Sequence, residues 1–313
     1  MNTSPMVVDP KLIRKLDEAG KLIGNTPLMR IQRAWSKPGV ELYAKCEWAQ
    51  LGQSVKARPA FSIFKAAILN GDLPEGRHLM DASSGNTAIA YAAIGARLDI
   101  PVTIFLPENA SETRKLILRS FGAHLILTDP LEGMDGAQRQ ARELAANEPE
   151  KYFHADQYNN DNNWKAHYRT TANEIYRQTQ GRITHLVATL GTSGTFMGNS
   201  RKLRELNPDI EMISIQPDSA MHALEGWKHM ETALVPGIYD PNQADRTVIV
   251  STEEAYDWVK RVAKTEGILL SPSAAGNLAG AVKVAQELEE GVVVTTFADD
   301  YAKYGEVMNE IFS

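Results

Sequence analysis

His78-Leu79-Met80-Asp81-Ala82-Ser83-Ser84-Gly85-Asn86-Thr87-Ala88-Ile89-Ala90-Tyr91 is the stretch that decides the fold. Residues 78–82 predict a strand, the Ser-Ser-Gly-Asn segment a turn, and 87–98 a helix. The same grammar continues downstream. Residues 102–106 predict the next strand, followed by a helix that begins at Asn109, with Glu112 at capping-box spacing. Residues 124–127 read as another strand, 136–146 as an Ala-rich helix, and 152–154 as a strand closing the set. Strands separated by helices of this length need crossover connections, and so a mostly parallel sheet.

The pattern then restarts. Residues 164–178 predict a helix and 185–188 a strand. Gly191-Thr192-Ser193-Gly194-Thr195 is a turn, with a helix over 196–206 and a strand over 212–215. Periodicity weakens over 218–244, where Pro and Gly scatter through a long functional loop. Segments 252–264, 275–288 and 292–297 finish a second sheet. The polar run Asn147-Glu148-Pro149-Glu150 separates the two halves.

Composition fits this reading. The chain has 313 residues, 43% of them hydrophobic, enough for two ordinary cores. Its net charge of -6 argues against a nucleic-acid partner, which selects a basic face. Cys46 is the only cysteine, so neither an intrachain disulfide nor a thiolate metal cluster forms, and a reducing compartment fits. The first 20 residues carry Lys11, Arg14, Lys15 and Asp17, with no apolar core of signal-peptide length. No apolar run is long enough to span a bilayer. The expectation is a soluble cytoplasmic protein with no membrane partner. The seven histidines show no metal-ligand spacing, and no metal is expected.

Two turns share one architecture of strand, small-residue loop and helix: Ser83-Ser84-Gly85-Asn86-Thr87 and Gly191 to Thr195. The first N–H groups of such a helix have no intrahelical partner, and its dipole favours negative charge. Each loop is therefore a candidate anion cradle, although small residues also make ordinary caps. Two of them at strand ends, where open parallel sheets bind ligands, strengthen the first reading. Lys56, in Ser54-Val55-Lys56-Ala57-Arg58-Pro59, precedes a helix whose Phe61, Phe64 and Ile68 recur at helical spacing and which ends at Asn70-Gly71. The dipole there disfavours a cation, a setting suited to forming an imine with an aldehyde. The alternative is a solvated surface lysine.

Four ordered motifs carry a resemblance from about residue 20 to residue 290. Ile23-Gly24-Asn25-Thr26-Pro27-Leu28 is similar to the opening motif of the β-family pyridoxal-phosphate enzymes. Ser54-Val55-Lys56 resembles the cofactor-lysine motif of the cysteine synthase (O-acetylserine sulfhydrylase) family. Ser84-Gly85-Asn86-Thr87 resembles its substrate-carboxylate loop, and Gly191 to Thr195 its phosphate cup. The resemblance implies the fold-type II architecture: α/β, with two domains, each an open, mostly parallel twisted sheet flanked by helices. It implies a smaller mobile substrate-binding domain over 48–152 and a larger cofactor-phosphate domain over 1–47 plus 153–313. It also implies a homodimer.

By the same resemblance, Lys56 would carry pyridoxal 5'-phosphate and act as the base on the substrate α-proton. Gly191, Thr192, Ser193, Gly194 and Thr195 would hold the cofactor phosphate, and Asn86 its ring hydroxyl. Ser83, Ser84, Thr87 and Gln157 would bind the substrate carboxylate. Ser273 would face the pyridine nitrogen, with Ser271 a competitor. A neutral hydroxyl there makes the ring a weaker electron sink than an aspartate would, which suits prompt loss of a β-leaving group. The implied reaction is loss of acetate or phosphate from an activated serine, followed by attack of sulfide or another sulfur donor to give L-cysteine. Rival readings are a cystathionine synthase, a serine/threonine dehydratase, or a binding paralogue without activity.

The chain departs from the family pattern at Ala57, where Asp is usual, at Ala88, where Gly is usual, and at Leu51-Gly52-Gln53. These put the substrate in question. The loop Leu224 to Met230 falls where the family's substrate-entrance loop lies, and its Lys228 or His229 could meet a charged leaving group. Cys46 is expected to be a buried small side chain, and Glu253-Glu254 and Asp299-Asp300 solvated faces or helix starts.

Overall fold

The computed structural model describes residues 8–313. From the start of the chain its elements are α1 (Pro10–Gly20), β1 (Leu28–Ile31), β2 (Val40–Cys46), α2 (Ala57–Asn70), β3 (His78–Ala82) and α3 (Asn86–Leu98). Next come β4 (Val102–Pro107), α4 (Glu112–Ser120), β5 (His124–Thr128), α5 (Gly133–Asn147) and β6 (Tyr152–His154). Then follow α6 (Asn162–Arg169), α7 (Thr171–Gln178), β7 (His185–Thr189), α8 (Gly194–Leu206), β8 (Glu211–Pro217) and β9 (Arg246–Val250). The last are α9 (Thr252–Glu266), α10 (Pro272–Glu287), β10 (Gly291–Phe297) and α11 (Gly305–Phe312).

The chain divides into two compact units. The first holds a four-stranded sheet in the order β5-β4-β3-β6, all parallel. Period-2 alternation sends Leu79 and Ile104 to one face, under α2 and α3, and Met80, Ala82 and Phe105 to the other, under α5. Burial on both faces is why these strands read as short apolar runs. Residues 8–24 belong to this unit, whereas the sequence reading groups 1–47 with the other; residues 1–7 lie outside the described ones. The reason is α1. Asp9 caps it by accepting the Lys11 N–H at 2.8 Å, and Leu16 and Ala19 bury its apolar stripe in the same core as α3.

The second unit holds a six-stranded sheet in the order β1-β2-β10-β7-β8-β9. All pairs are parallel except β1 with β2. Val187, Ile213 and Val293 face α9 and α10, while Leu186, Met212 and Val292 face α7 and α8. A buried ion pair ties strand to helix: Lys45 Nζ lies 2.7 Å from Glu174 and donates to the Thr26 carbonyl at 2.6 Å. Thr26 in turn donates its hydroxyl to Glu47 at 2.7 Å. The Asn-Thr-Pro motif near the start of the chain is thus a structural clamp within this unit.

Several local expectations change. Helix α4 begins at Glu112 with Ser111, not Asn109, in the N-cap position and without a side-chain cap bond, so the pair proposed as a capping box does not form one. The true capping box joins Ser251 and Glu254 at the start of α9, with both reciprocal bonds made. The helix expected over 164–178 is two, broken at Thr170. Asp300 does start a turn of 3-10 helix, but Asp299 is fully buried and not on a solvated face.

Candidate active site

In the first unit, three segments carry the residues singled out by sequence. Lys56 is the residue just before α2, partly buried, with its carbonyl accepting the Ala60 N–H at 3.1 Å. Ala57, Arg58, Pro59 and Ala60 behind it are all buried, so the first turn that presents Lys56 is packed in place. Ala57 and Ala88, the two departures from the family pattern, are themselves fully buried and fill core positions.

The Ser83–Thr87 loop links β3 to α3. Gly85 occupies the N-cap position and offers no side chain to the helix, so the first amides of α3 lack the usual side-chain acceptor. A Cβ added at Gly85 would meet nothing within 4 Å, so the loop faces open space there. Ser83 accepts the Gly85 N–H at 3.3 Å, Ser84 and Asn86 are half-buried, and Thr87 is buried. Thr87 donates its hydroxyl to Gln157 Oε1 at 2.7 Å. That bond fixes the amide flip of Gln157 and turns its Nε2 donors away from Thr87. Behind the loop stands Asp81, which sequence reading did not single out. Its carboxylate accepts the Ala82 N–H at 2.9 Å and the Gln157 N–H at 3.3 Å, and burial pushes its pKa up to about 7.

In the second unit, the Gly191–Thr195 loop links β7 to α8. Ser193 takes a left-handed backbone, φ 70, at the N-cap of a 13-residue helix and makes no side-chain cap bond. Its hydroxyl is buried and has no hydrogen-bond partner. An orphaned buried hydroxyl at an uncapped helix start costs about 1–3 kcal/mol unless something accepts from it or donates to it. A compact anion meets the whole set, hydroxyl and helix N–H groups together. The two glycines are sterically required. A Cβ on Gly191 would lie 2.0 Å from the Gly226 carbonyl oxygen, and one on Gly194 would lie 1.9 Å from Asn163 Oδ1.

Two further residues hold this loop, and nothing in the sequence pointed to them beyond their i, i+4 spacing on one helix face. Asn163 Nδ2 donates to Thr192 Oγ1 at 3.1 Å. His167 bridges Thr171 at 2.9 Å and Thr195 at 3.4 Å. From another side, the segment expected to form an entrance loop packs on the same turn: Lys228 donates its N–H to Leu190 at 2.8 Å, and Leu224 and Trp227 are buried. Asn277 of α10 accepts the Thr189 N–H at 3.0 Å and anchors the end of β7.

Ser271 and Ser273 differ in how their hydroxyls are engaged. Ser271 caps α10 by accepting the Ala274 N–H at 3.2 Å, and its hydroxyl meets Asp299 Oδ1 at 2.5 Å. Tyr304 donates to the other Asp299 oxygen at 2.6 Å. Ser271 is therefore committed to the fold, while Ser273, 3.1 Å from it, keeps hydrogen-bonding capacity for another group.

The chain is similar to known proteins over nearly its whole length. The family model described as pyridoxal-phosphate dependent enzyme matches residues 20–299. A cysteine synthase from Aquifex aeolicus is 48% identical over 291 residues, covering 91% of this chain and 89% of that protein. Cysteine synthase B from Pseudomonas aeruginosa is 38% identical, covering 90% of this chain and 93% of that protein. The crystal structure of a cysteine synthase from Entamoeba histolytica superposes with a TM-score of 0.88 at 29% identity, covering 100% of this chain and 93% of that one.

Proposed function

We propose a reaction for this chain from one premise: it belongs to the family of pyridoxal-phosphate dependent enzymes. It is a cysteine synthase, forming L-cysteine from an activated serine and sulfide with pyridoxal 5'-phosphate as cofactor. The observation that carries the residue assignment is the unpartnered Ser193 hydroxyl at the open start of α8. A phosphate monoester fits it, as it fits the glycine positions that admit no side chain.

Gly191, Thr192, Ser193, Gly194 and Thr195 hold the cofactor phosphate, Asn86 its ring hydroxyl, and Ser273 its ring nitrogen. Lys56 would hold the cofactor aldehyde through its amine and, once the substrate's amine has taken its place there, would be free to act as a base. When bound, the cofactor withdraws electrons from the substrate α-carbon and so weakens the bonds to the α-proton and the β-substituent. The chain's own residues do the rest. Ser83, Ser84, Thr87 and Gln157, with the N–H groups opening α3, bind the substrate carboxylate and orient the α-proton toward Lys56. Lys56 takes that proton as the Cβ–O bond breaks and the leaving group departs as acetate or phosphate. Sulfide then forms the Cβ–S bond, and Lys56 returns the proton to the α-carbon. Ser273 presents a neutral hydroxyl, which limits electron withdrawal and favours departure of the β-substituent over transamination.

The domain carrying Lys56 and the carboxylate loop, read from sequence as 48–152 and here extended by α1 and by residues as far as 162, is taken as the smaller mobile one, and the enzyme as a cytoplasmic homodimer. Among the described residues no helix is long and apolar enough to cross a membrane. The decisive test is borohydride reduction of the reconstituted enzyme followed by peptide mapping. The label is expected on Lys56; label on another lysine overturns the assignment. Titration with O-acetylserine, O-phosphoserine and serine, followed by the cofactor's visible absorption, then identifies the leaving group.

A further inference from the structure

Asp81 is an acidic group built into the back of the carboxylate loop. It sits on β3 two residues before Ser83, is 3% exposed, and holds the backbone of both Ala82 and Gln157. Gln157 in turn holds Thr87, so a single hydrogen-bonded step separates the Asp81 carboxylate from side chains assigned to the substrate. A buried anion facing an anion site is an electrostatic conflict: each negative charge disfavours the other in a medium that screens poorly.

The surroundings relieve it only in part: hydrogen bonds from Ala82, Gln157 and Tyr91 oppose the effect of burial and are outweighed by it. Among the described residues the one basic group in ion-pair range is His154 of β6, 3.7 Å away, and burial lowers that imidazole's pKa and keeps it neutral. Asp156, in the turn after β6, adds a second negative charge nearby. Tyr91 of α3 turns its hydroxyl toward the carboxylate and offsets part of the burial cost without cancelling it, and Tyr158 is held neutral by burial. On α5, Arg142 acts on His154 and Asp135 on Tyr158.

We propose that Asp81 is a proton-linked positioning residue: when a carboxylate binds at the Ser83–Thr87 loop, those molecules whose Asp81 is ionised take up a proton from the buffer and the conflict is removed. The neutral acid keeps an oxygen for the Gln157 N–H, so the Thr87–Gln157 pair stays in place as the negative charge leaves. Substrate affinity then falls as pH rises, because above neutrality the proton must be drawn from a more alkaline solvent. Binding energy for the amino acid is coupled to proton concentration through a group that never touches the substrate. The inference rests on Ser83–Thr87 and Gln157 being the carboxylate site.

The test is calorimetric titration of the holoenzyme with propionate, a carboxylate with neither amine nor leaving group, in buffers of different ionisation enthalpy. Uptake of about half a proton is expected at pH 7, falling toward zero near pH 5.5, with Kd rising about fivefold from pH 6 to pH 8. In Asp81→Asn both the uptake and the pH dependence are expected to vanish, while His154→Gln retains them. Propionate binding that is sensitive to Thr87→Val yet shows no buffer dependence in the wild type overturns the proton linkage alone. Uptake that persists in Asp81→Asn does the same. Propionate that fails to bind, or binds regardless of Thr87→Val, overturns the carboxylate-site reading and this inference with it. The wild-type pH series stands without the variant should Asp81→Asn fold poorly.

Discussion

Gly194 and Asn163 are in contact so close that no side chain larger than hydrogen fits between them: a Cβ on Gly194 would stand 1.9 Å from Asn163 Oδ1 and 2.6 Å from its Cγ. The same Asn163 amide donates to Thr192. Gly194→Ala must therefore displace Asn163, and with it the Thr192 hydroxyl, from the turn assigned to the cofactor phosphate. Overpacking of this kind costs about 1–3 kcal/mol. Cofactor affinity is expected to fall by about tenfold or more while the far-ultraviolet dichroism stays native. Gly85→Ala, where an added Cβ meets nothing, is the comparison. Equal cofactor retention in Gly194→Ala and wild type, measured by absorbance after gel filtration, would show that the turn does not hold the phosphate.

Thr87 and Gln157 make the second prediction. Thr87→Val keeps the shape of the side chain but removes the hydroxyl that fixes the Gln157 amide. A hydrogen bond serving a charged group contributes about 1.5–3 kcal/mol. KM for O-acetylserine is expected to rise about tenfold or more, with kcat within about threefold of wild type. Steady-state rates across O-acetylserine concentrations at saturating sulfide check this. A loss confined to kcat would place Thr87 in bond-making and not in substrate binding.

The sheets were legible because burial on both faces writes itself as short apolar runs, and the two strand-to-helix loops because small residues interrupt those runs at strand ends. What was illegible has physical reasons. Lys45, Glu47 and Thr26 are polar side chains in or next to short strands, yet each is buried and satisfied by partners as distant as Glu174. Strand β2 was missed for that reason. Asn109 offered a capping signal two residues from Ser111, and local sequence could not rank the two. Asp299 was read as solvated because its partners, Ser271 and Tyr304, become neighbours only through the fold. Asn163 and His167 carry no motif. Their role comes from where α6 crosses α8, a contact so tight that a Cβ on Gly198 would lie 2.2 Å from the Trp164 carbonyl oxygen.

Cys46 gives a prediction that separates structure from chemistry. It ends β2, buried, with its pKa pushed up to about 12 by burial and by neighbouring Glu47, against the opposing pull of Lys45. The thiolate is the reactive form, so the native thiol should be inert. A disulfide reagent at pH 8 is expected to label no thiol in native protein and one per chain in denaturant. Cys46→Ala is expected to retain activity within about twofold, with a stability loss of about 1 kcal/mol for the small cavity. Rapid labelling of native enzyme with loss of turnover would assign the thiol a part in the reaction.

Asp81 also predicts how stability depends on pH. Burial raises its pKa to about 7 from an ordinary 3.8. Between those values the folded state binds more protons than the unfolded chain, so stability falls as pH rises through the window, and the full penalty is present above about pH 7. The penalty is on the order of 4 kcal/mol at most, reduced by whatever water reaches the site on local opening. Asp81→Asn removes the charge and leaves one side-chain oxygen for the two N–H groups that the carboxylate accepts, which gives back part of the gain. The variant is therefore expected to melt several degrees above wild type at pH 8 and close to it at pH 5. Thermal midpoints of both proteins at the two pH values decide the matter. An Asn variant that is less stable at pH 8 than at pH 5, relative to wild type, would mean that the ionised carboxylate is a net stabilising acceptor for Ala82 and Gln157, and that its burial is compensated within the fold.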